Sequence, residues 1–225
     1  MALARVGVHT GTNTTFASTV TTASWTSTAG NILIAIAEAD TVAANGITFT
    51  GNNSTSWTRV ISTSLASTFD LEVWVAYNIA GGAGQTVTAT DTGGGVDSLI
   101  IVEEWSGAAL TSAADKSAGA TGLASSAANS GASAATTQAH EVVIGAVAAS
   151  GNQTFTPGAS YSNWNKVNTT FSSLFFESKI VAATGAQTAD ATISAGVSWV
   201  CQVATFKQAA AAVVASGNTM LLMGV

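Results

Sequence analysis

One run of alternating side chains constrains the fold of this chain more than any other feature. From Phe69 to Ile79, every second residue is Phe, Leu, Val, Tyr or Ile. The residues between them include Asp70, Glu72 and Trp74. A period of two residues is typical of a β-strand that turns one face towards a core, and clean alternation occurs mainly in antiparallel sheets. The run therefore predicts a half-buried antiparallel strand.

Short strands separated by glycine-rich turns continue the pattern to residue 107. Residues 80–84 are rich in Gly, residues 86–90 alternate Thr with other residues, and residues 99–102 are strongly apolar. Threonine suits strand surfaces because it is β-branched, and Gly suits the tight turns between strands. These features predict a three-stranded meander over residues 69–107.

The second half of the chain repeats the pattern of the first. Residues 136–143 resemble residues 26–33, and further matches follow in the same order. The clearest matches of single residues are Phe49 with Phe155, and Trp57 with Trp164. Matches that keep their order indicate an internal duplication. Because both tryptophans follow polar loops, we expect Trp57 and Trp164 to be core residues at the bases of hairpins.

These observations predict an all-β protein, an antiparallel β-sandwich of jelly-roll-like type with internal pseudo-duplication. We expect residues 1–207 to form a single sandwich domain from two similar halves, about 26–107 and 136–207. Each half alone has about five strands and would leave an apolar face open. Residues 108–135 are rich in Ala, Ser and Gly, and we expect a quiet strand and a crossover there. The alternative is two tandem small domains joined by a flexible linker.

The C-terminal residues 208–225 differ in kind from the rest of the chain. They are apolar without a strand period, and they end in a run that is unsuited to water: Met220, Leu221, Leu222 and Met223. A terminal segment is ordered only when something holds it. We expect an apolar arm that lies either on its own domain or on an adjacent subunit, with these four residues as contacts.

The charge of the chain argues against nucleic acid as a partner. The net charge is −6 at pH 7, and the six basic residues are scattered along the sequence, whereas a phosphate backbone requires a basic surface. No apolar run is long enough to span a bilayer, and no signal peptide is recognisable at the N-terminus. We therefore expect a soluble protein that binds neither nucleic acid nor membranes.

The sequence contains no recognisable catalytic or metal-binding motif. His9 and His140 are far apart in the sequence, and no metalloprotease, hydrolase or calcium-loop pattern occurs. Glu103 and Glu104 are adjacent, so a strand would turn them to opposite faces. The lone Cys201 allows no internal disulfide and no cysteine-based zinc site. We therefore expect a non-enzymatic protein with no catalytic residue, no metal and no cofactor.

The best candidate for a contact surface is the polar face of residues 69–79. Trp74 lies there beside Glu72 and Asn78. An exposed indole flanked by hydrogen-bonding groups suits a protein contact or stacking on a sugar. The alternative is internal packing, if a second layer covers this face. Asp70 shares the face with Glu72, and this pair would be either solvated or a shallow cation site.

The whole chain resembles all-β surface proteins of tailed-phage virions, especially head-decoration (cement) and tail-associated sandwich proteins. The likeness rests on the Thr-, Ala- and Gly-rich strands and on the start at Met1 without a leader. It rests also on the repeated strands of Trp57 and Trp164 and on the apolar residues 221–225.

This resemblance implies a non-enzymatic structural protein of the virion, made in a host cytoplasm. Such a protein would bind capsid or tail subunits and often its own copies, as a homo-oligomer. The alternative is a carbohydrate-binding module or adhesin that binds a glycan through exposed Trp residues and Asn/Thr loops. Jelly-roll sandwiches are common in both settings.

Overall fold

The computed structural model describes residues 1–13, 15, 17–40, 46–53, 56–66, 68–93 and 98–210. In this part of the chain the regular secondary structure is β-strand, and no helix is present. In chain order the strands are β1 (Ala4–Asn13), β2 (Thr19–Thr21), β3 (Trp25–Ser27), β4 (Ile32–Ala39), β5 (Ile47–Gly51), β6 (Trp57–Leu65), β7 (Phe69–Ala76), β8 (Gly82–Gln85), β9 (Val87–Asp91), β10 (Ser98–Ser106), β11 (Ala114–Asn129), β12 (Glu141–Ser150), β13 (Phe155–Pro157), β14 (Asn163–Asn168), β15 (Ser172–Val181) and β16 (Asp190–Lys207). The predicted all-β class is therefore confirmed.

The strands form two large sheets and two small ones. The first large sheet has the order β1-β10-β4-β7-β6, and the second has the order β11-β16-β12-β15-β14, with β13 paired to β16. A three-stranded sheet (β2-β9-β5) and a two-stranded sheet (β3-β8) accompany the first large sheet. All of these pairings are antiparallel, as the sequence predicted.

The two large sheets share one apolar core. Alternate residues of β4, β7 and β10 enter it from the first sheet, and alternate residues of β12, β15 and β16 enter it from the second. Its fully buried side chains include Trp105, Phe176 and Phe206. Gln202 crosses between the sheets and donates a hydrogen bond from Nε2 to the Leu71 carbonyl oxygen at 2.8 Å. Both halves of the chain therefore contribute to one interior.

The outer faces of the large sheets are covered as well, which explains why the central strands are apolar on both sides. In β4, Ile34 and Ile36 belong to the shared core, whereas Leu33 belongs to a second core beneath the three-stranded sheet. A third core lies on the outer side of the second large sheet and includes Phe175 and Tyr161. At about 25 cal/mol per Å² of buried apolar surface, this double burial is the main stabilising contribution.

The predicted meander over residues 69–107 is wrong, although its strands are present. β7 pairs with β4 and β6, whereas β9 pairs with β2 and β5 in the three-stranded sheet. β10 then returns to the first large sheet between β1 and β4. Alternation determines which face of a strand is buried, but strand partners depend on long-range contacts that a local pattern does not specify.

The segment between the halves is largely a long edge strand. β11 pairs with β16 through several register shifts, so the quiet strand predicted within residues 108–135 is present.

The strand orders of the two large sheets correspond: β1, β10, β4, β7 and β6 occupy the same positions as β11, β16, β12, β15 and β14. The internal duplication, the jelly-roll connection and the single-domain assignment remain predictions.

A single cooperative domain should lose stability as a whole when its shared core is damaged. Phe176→Ala removes a fully buried side chain between the sheets, and we expect it to lower the free energy of unfolding by about 3–5 kcal/mol. Phe171→Ala is the matched control, because Phe171 is 57% exposed and surface changes usually stay within about 0.5 kcal/mol. Chemical denaturation followed by fluorescence and circular dichroism measures both variants. Two separate transitions, only one of them shifted by Phe176→Ala, would contradict the single-domain prediction.

Candidate functional site

The predicted contact residue Trp74 lies on β7 and packs mainly inside the fold. Its ring centroid is 5.5 Å from that of Phe49, and the Arg59 guanidinium lies 5.8 Å from the Trp74 centroid. The indole N–H donates to Glu72 Oε2 at 2.5 Å. Trp57 completes the cluster, with its centroid 5.3 Å from that of Phe49. Because Phe49 belongs to the three-stranded sheet, this second layer covers the face, and the contacts favour the internal-packing alternative.

Asp70 and Glu72 are fully buried, so the expectation of an exposed carboxylate pair is wrong. Asp70 accepts hydrogen bonds from Ser62 Oγ at 3.1 Å and from the Gly46 backbone N–H at 3.0 Å. Glu72 accepts one from the Ile47 backbone N–H at 3.3 Å. Loss of hydration, together with the neighbouring charge of Asp70, raises the pKa of Glu72 to about 7. Protein donors, two at or next to the start of β5 and one on β6, therefore replace the solvent that was expected around this pair.

The third residue of the predicted face, Asn78, lies apart from the other two. It follows the end of β7 in a bend, is exposed, and has a φ of 47°, a left-handed conformation that Asn adopts more readily than most residues. Four predicted contacts lie outside the described residues: Met220, Leu221, Leu222 and Met223. Their role in subunit contact, and that of Trp74, stays a prediction.

Burial of acids is general in this fold. Eight of the twelve acidic residues are buried: Glu38, Asp70, Glu72, Asp91, Glu103, Glu104, Glu141 and Glu177. Glu103 faces the second large sheet, where Ser178 Oγ donates to it at 3.4 Å, and Arg5 Nε lies 2.6 Å from Glu103 Oε1. Glu104 faces the other side of β10, as predicted, and accepts a hydrogen bond from Asn31 Nδ2 at 2.5 Å.

The second large sheet carries an aromatic cluster that is open to solvent. Trp164 on β14 is 54% exposed, so the expectation that it is a core residue at a hairpin base is wrong. Its centroid lies 6.4 Å from that of Phe175, and Phe155 stacks on Phe175 at 4.8 Å. By strand position, Trp164 and Phe175 match Trp57 and Trp74 of the first large sheet. Phe155 matches Phe49 by its order in the sequence. The strand on this face, β13, has 3 residues, whereas β5 has 5; Trp164 is exposed, whereas Trp57 is only partly so.

Two lysines lie beside Trp164 on the outer face of the second sheet. Lys166 is two residues further along β14, and its Nζ donates to the Gln153 carbonyl oxygen at 3.0 Å. Lys179 lies on β15, and its Nζ is 4.3 Å from the centroid of the Tyr161 ring. Among the described residues, the ion pairs involve Arg5, Arg59 and Lys116. Both lysines beside Trp164 therefore keep their charge available to a ligand.

Glu177 lies buried beneath this surface as the register partner of Trp164. Its Oε2 accepts a hydrogen bond from the Gly158 backbone N–H at 2.8 Å, whereas Oε1 has no hydrogen-bond partner within the described ranges. Loss of hydration raises the pKa of Glu177 to about 7, and the charge of Asp190 acts in the same direction. A large fraction of Glu177 is therefore uncharged at neutral pH.

The remaining groups with catalytic potential are dispersed. His9 stacks on Trp25 with ring centroids 3.8 Å apart, and burial lowers the pKa of His9. His140 is exposed in a bend, with a φ of 59°. Cys201 is buried, and loss of hydration raises the pKa of its thiol. In the part of the chain that the structure describes, no group of three or more His, Cys, Asp or Glu residues could hold a metal ion.

Comparison with known proteins identifies no relative. No protein-family model, curated protein or solved structure matches the chain. The described residues include no helix with the length and apolar character needed to cross a membrane. Function must therefore be inferred from the surface of this molecule.

Trp164 is an exposed aromatic residue whose exposure the sequence analysis did not predict. A signal was present, because Trp164 shares its strand face with Lys166 and Asn168, and residues two apart on a strand point the same way. The prediction for Trp74 had the opposite error. Because carboxylates are rarely fully buried, the neighbouring Glu72 indicated that this strand face is exposed to solvent, whereas Trp74 packs against Phe49.

Four buried glutamates make the stability of this protein depend on pH. Burial raises the pKa of each from 4.5 to about 7: Glu72, Glu103, Glu141 and Glu177. Between these two values the unfolded chain ionises while the folded chain keeps its protons, so the free energy of unfolding falls as pH rises. We expect the Tm, measured by scanning calorimetry, to be highest near about pH 5 and to decrease towards about pH 8. A Tm that rises over this interval would contradict the expectation.

Glu177→Gln isolates one of these contributions. The amide nitrogen can occupy the position of Oε1, which accepts no hydrogen bond in the described structure, while the amide oxygen keeps the bond from Gly158. We expect the variant to raise the free energy of unfolding at about pH 8 by up to about 3 kcal/mol and to leave it nearly unchanged at about pH 5. Denaturant titration at both pH values measures this. An equal effect at both would indicate a packing change instead.

Proposed function

We propose that this chain is a non-enzymatic structural protein of a virion, a phage capsid decoration (cement) protein or another accessory head or tail protein. It is made in the host cytoplasm and acts through contacts with capsid or tail subunits and with its own copies. The observation that carries the proposal is an exterior suited to contact, with most acidic groups held inside the fold.

The distribution of charge supports this proposal. Eight of the twelve acidic residues are buried, so few exposed carboxylates oppose the approach of a neighbour. Removing an exposed charge from water costs free energy, and the centres of protein interfaces are accordingly depleted of charged residues. An exterior with few exposed acids therefore suits a subunit that packs closely against others.

The edges of the large sheets also support it. Two of the four edge strands carry a large exposed apolar side chain that suits such a contact: Val6 on β1 and Leu123 on β11. Edge strands present unpaired backbone groups to which another chain can add. β11 is 16 residues long, and its many small side chains allow a neighbouring backbone to come close.

The oligomeric state tests the proposal. We expect the full chain to form a defined multimer in analytical ultracentrifugation and native mass spectrometry. Leu123 is 69% exposed on the edge strand β11, and Leu123→Glu should weaken self-association at least about tenfold, because it places an unpaired charge in the contact. Thr48→Glu is the control, since it adds the same charge at an exposed position of the small sheet. A full chain that is strictly monomeric would contradict the homo-oligomer.

Removal of residues 211–225 tests the predicted apolar arm. The cut leaves Gln208, which pairs with Ala108 and donates from Nε2 to the Met1 carbonyl oxygen at 2.9 Å. We expect the shortened chain to keep its circular dichroism spectrum and its Tm but to assemble at a higher concentration than the full chain. If the shortened chain assembles at the same concentration as the full chain, the predicted role of the arm is wrong, whereas the proposed contacts of the edge strands are not affected.

A second candidate function, glycan binding, has support from one observation, the exposure of Trp164. A virion protein can also carry a glycan site, so the two functions are compatible.

A further inference from the structure

The outer face around Trp164 combines an open aromatic ring with several hydrogen-bonding groups. Trp164, Lys166 and Asn168 follow one another on the same face of β14, over a length of about 13 Å. Asn168 Nδ2 donates to Asn152 Oδ1 at 2.6 Å, which holds the amide pair at the end of the row. Phe155 and Phe175 form the apolar base beside the indole. This row is long enough for more than one pyranose ring.

The charge of this face is opposite in sign to that of the whole chain. Within the described ranges, the hydrogen bonds of the Lys166 and Lys179 ammonium groups go to neutral oxygen atoms, the carbonyl of Gln153 and the hydroxyl of Ser160. Glu177 is buried beneath them, and because loss of hydration raises its pKa to about 7, a large fraction of it is uncharged at neutral pH. The exposed acid Asp190 lies near Gly158, at whose position a Cβ would be 2.8 Å from Asp190 Oδ1. The two cations, Lys166 and Lys179, outnumber the exposed anion Asp190. This face therefore carries a positive charge, although the net charge of the protein is −6.

We propose that this face binds an acidic saccharide, with a sugar ring stacked on Trp164 and its carboxylate bound by Lys166 or Lys179. The apolar C–H face of a pyranose packs against an indole ring, as amphipathic groups do against Trp. The two ammonium groups supply charge-assisted hydrogen bonds to the carboxylate, which are stronger than neutral ones. The side-chain amides of Asn152 and Asn168 form hydrogen bonds with the hydroxyl groups of the next sugar ring.

The composition of the face favours a saccharide over a protein partner. A stable protein contact buries about 1,200 Å² or more around a continuous apolar centre. Here the exposed indole stands next to Lys166, Lys179 and an amide pair, so its apolar area is small and its border is polar. A ligand with one apolar face and many oxygen atoms matches that arrangement. This binding goes beyond the structural role proposed above and does not depend on it.

Titration calorimetry of the full chain with tetragalacturonate tests the proposal, with cellotetraose as the neutral match. We expect a Kd for tetragalacturonate on the order of 0.1–1 mM at low salt, about tenfold or more below that for cellotetraose. Because the attraction is partly ionic, the affinity should fall as salt is added. Circular dichroism of each variant confirms that the fold is kept.

The variants separate the aromatic contribution from the ionic one. Trp164→Ala should weaken binding by about tenfold or more, and Trp164→Tyr, which keeps an aromatic face, should retain most of it. Lys166→Gln and Lys179→Gln should each weaken binding of tetragalacturonate by about threefold to tenfold and leave that of cellotetraose unchanged. Lys116→Gln is the matched control. Lys116 lies on β11, at the opposite edge of the second large sheet from β14, and pairs with its neighbour Asp115.

Three outcomes would overturn the proposal. The first is the absence of tetragalacturonate binding at about 10 mM, well above the expected Kd. The second is a Kd for tetragalacturonate that does not change in Trp164→Ala, or that equals the Kd for cellotetraose. The third is tighter binding of a hexa-aspartate peptide that competes at Trp164, which would assign the face to an acidic protein segment.

Discussion

The shared apolar core between the two large sheets is the contact on which the rest of the structure depends. Because both halves of the chain contribute to it, neither sheet can turn that face to water. The outer faces are apolar too, and smaller elements cover them. A strand such as β4, buried at every residue, is stable only in this layered arrangement, since each uncovered face would expose a continuous apolar surface.

This layering also decides where the charges lie. The strand positions that alternate with core residues would face solvent in a two-layer sandwich, but here a further layer covers many of them. Carboxylates such as Glu72 and Glu104 are therefore buried, where backbone and side-chain donors replace water. Burial raises the pKa of several of them, so that protonation accompanies folding near neutral pH. The exterior loses charge for the same reason.

The two aromatic clusters show how unequal cover distinguishes otherwise similar sheets. Around Trp74, the three-stranded sheet supplies Phe49 and closes the cluster. Around Trp164, the covering strand β13 is shorter, and the indole remains half exposed beside Lys166 and Lys179. Aromatic residues at similar strand positions therefore lie in a packed cluster in the first half of the chain and at an exposed surface in the second half. The exposed cluster carries the proposed saccharide site, and the exposed edges carry the proposed subunit contacts.

The sequence by itself determined the all-β class, the positions of the main strands and the opposite faces of Glu103 and Glu104, and it favoured the strand within residues 108–135 over a flexible linker. These follow from a period of two residues and from the turn residues between strands, which are local properties. Only the tertiary structure decided the partners of β9 and β10, the burial of Glu72 and the exposure of Trp164. Each of these depends on what lies across a face from a strand, which is set by residues far away in the chain.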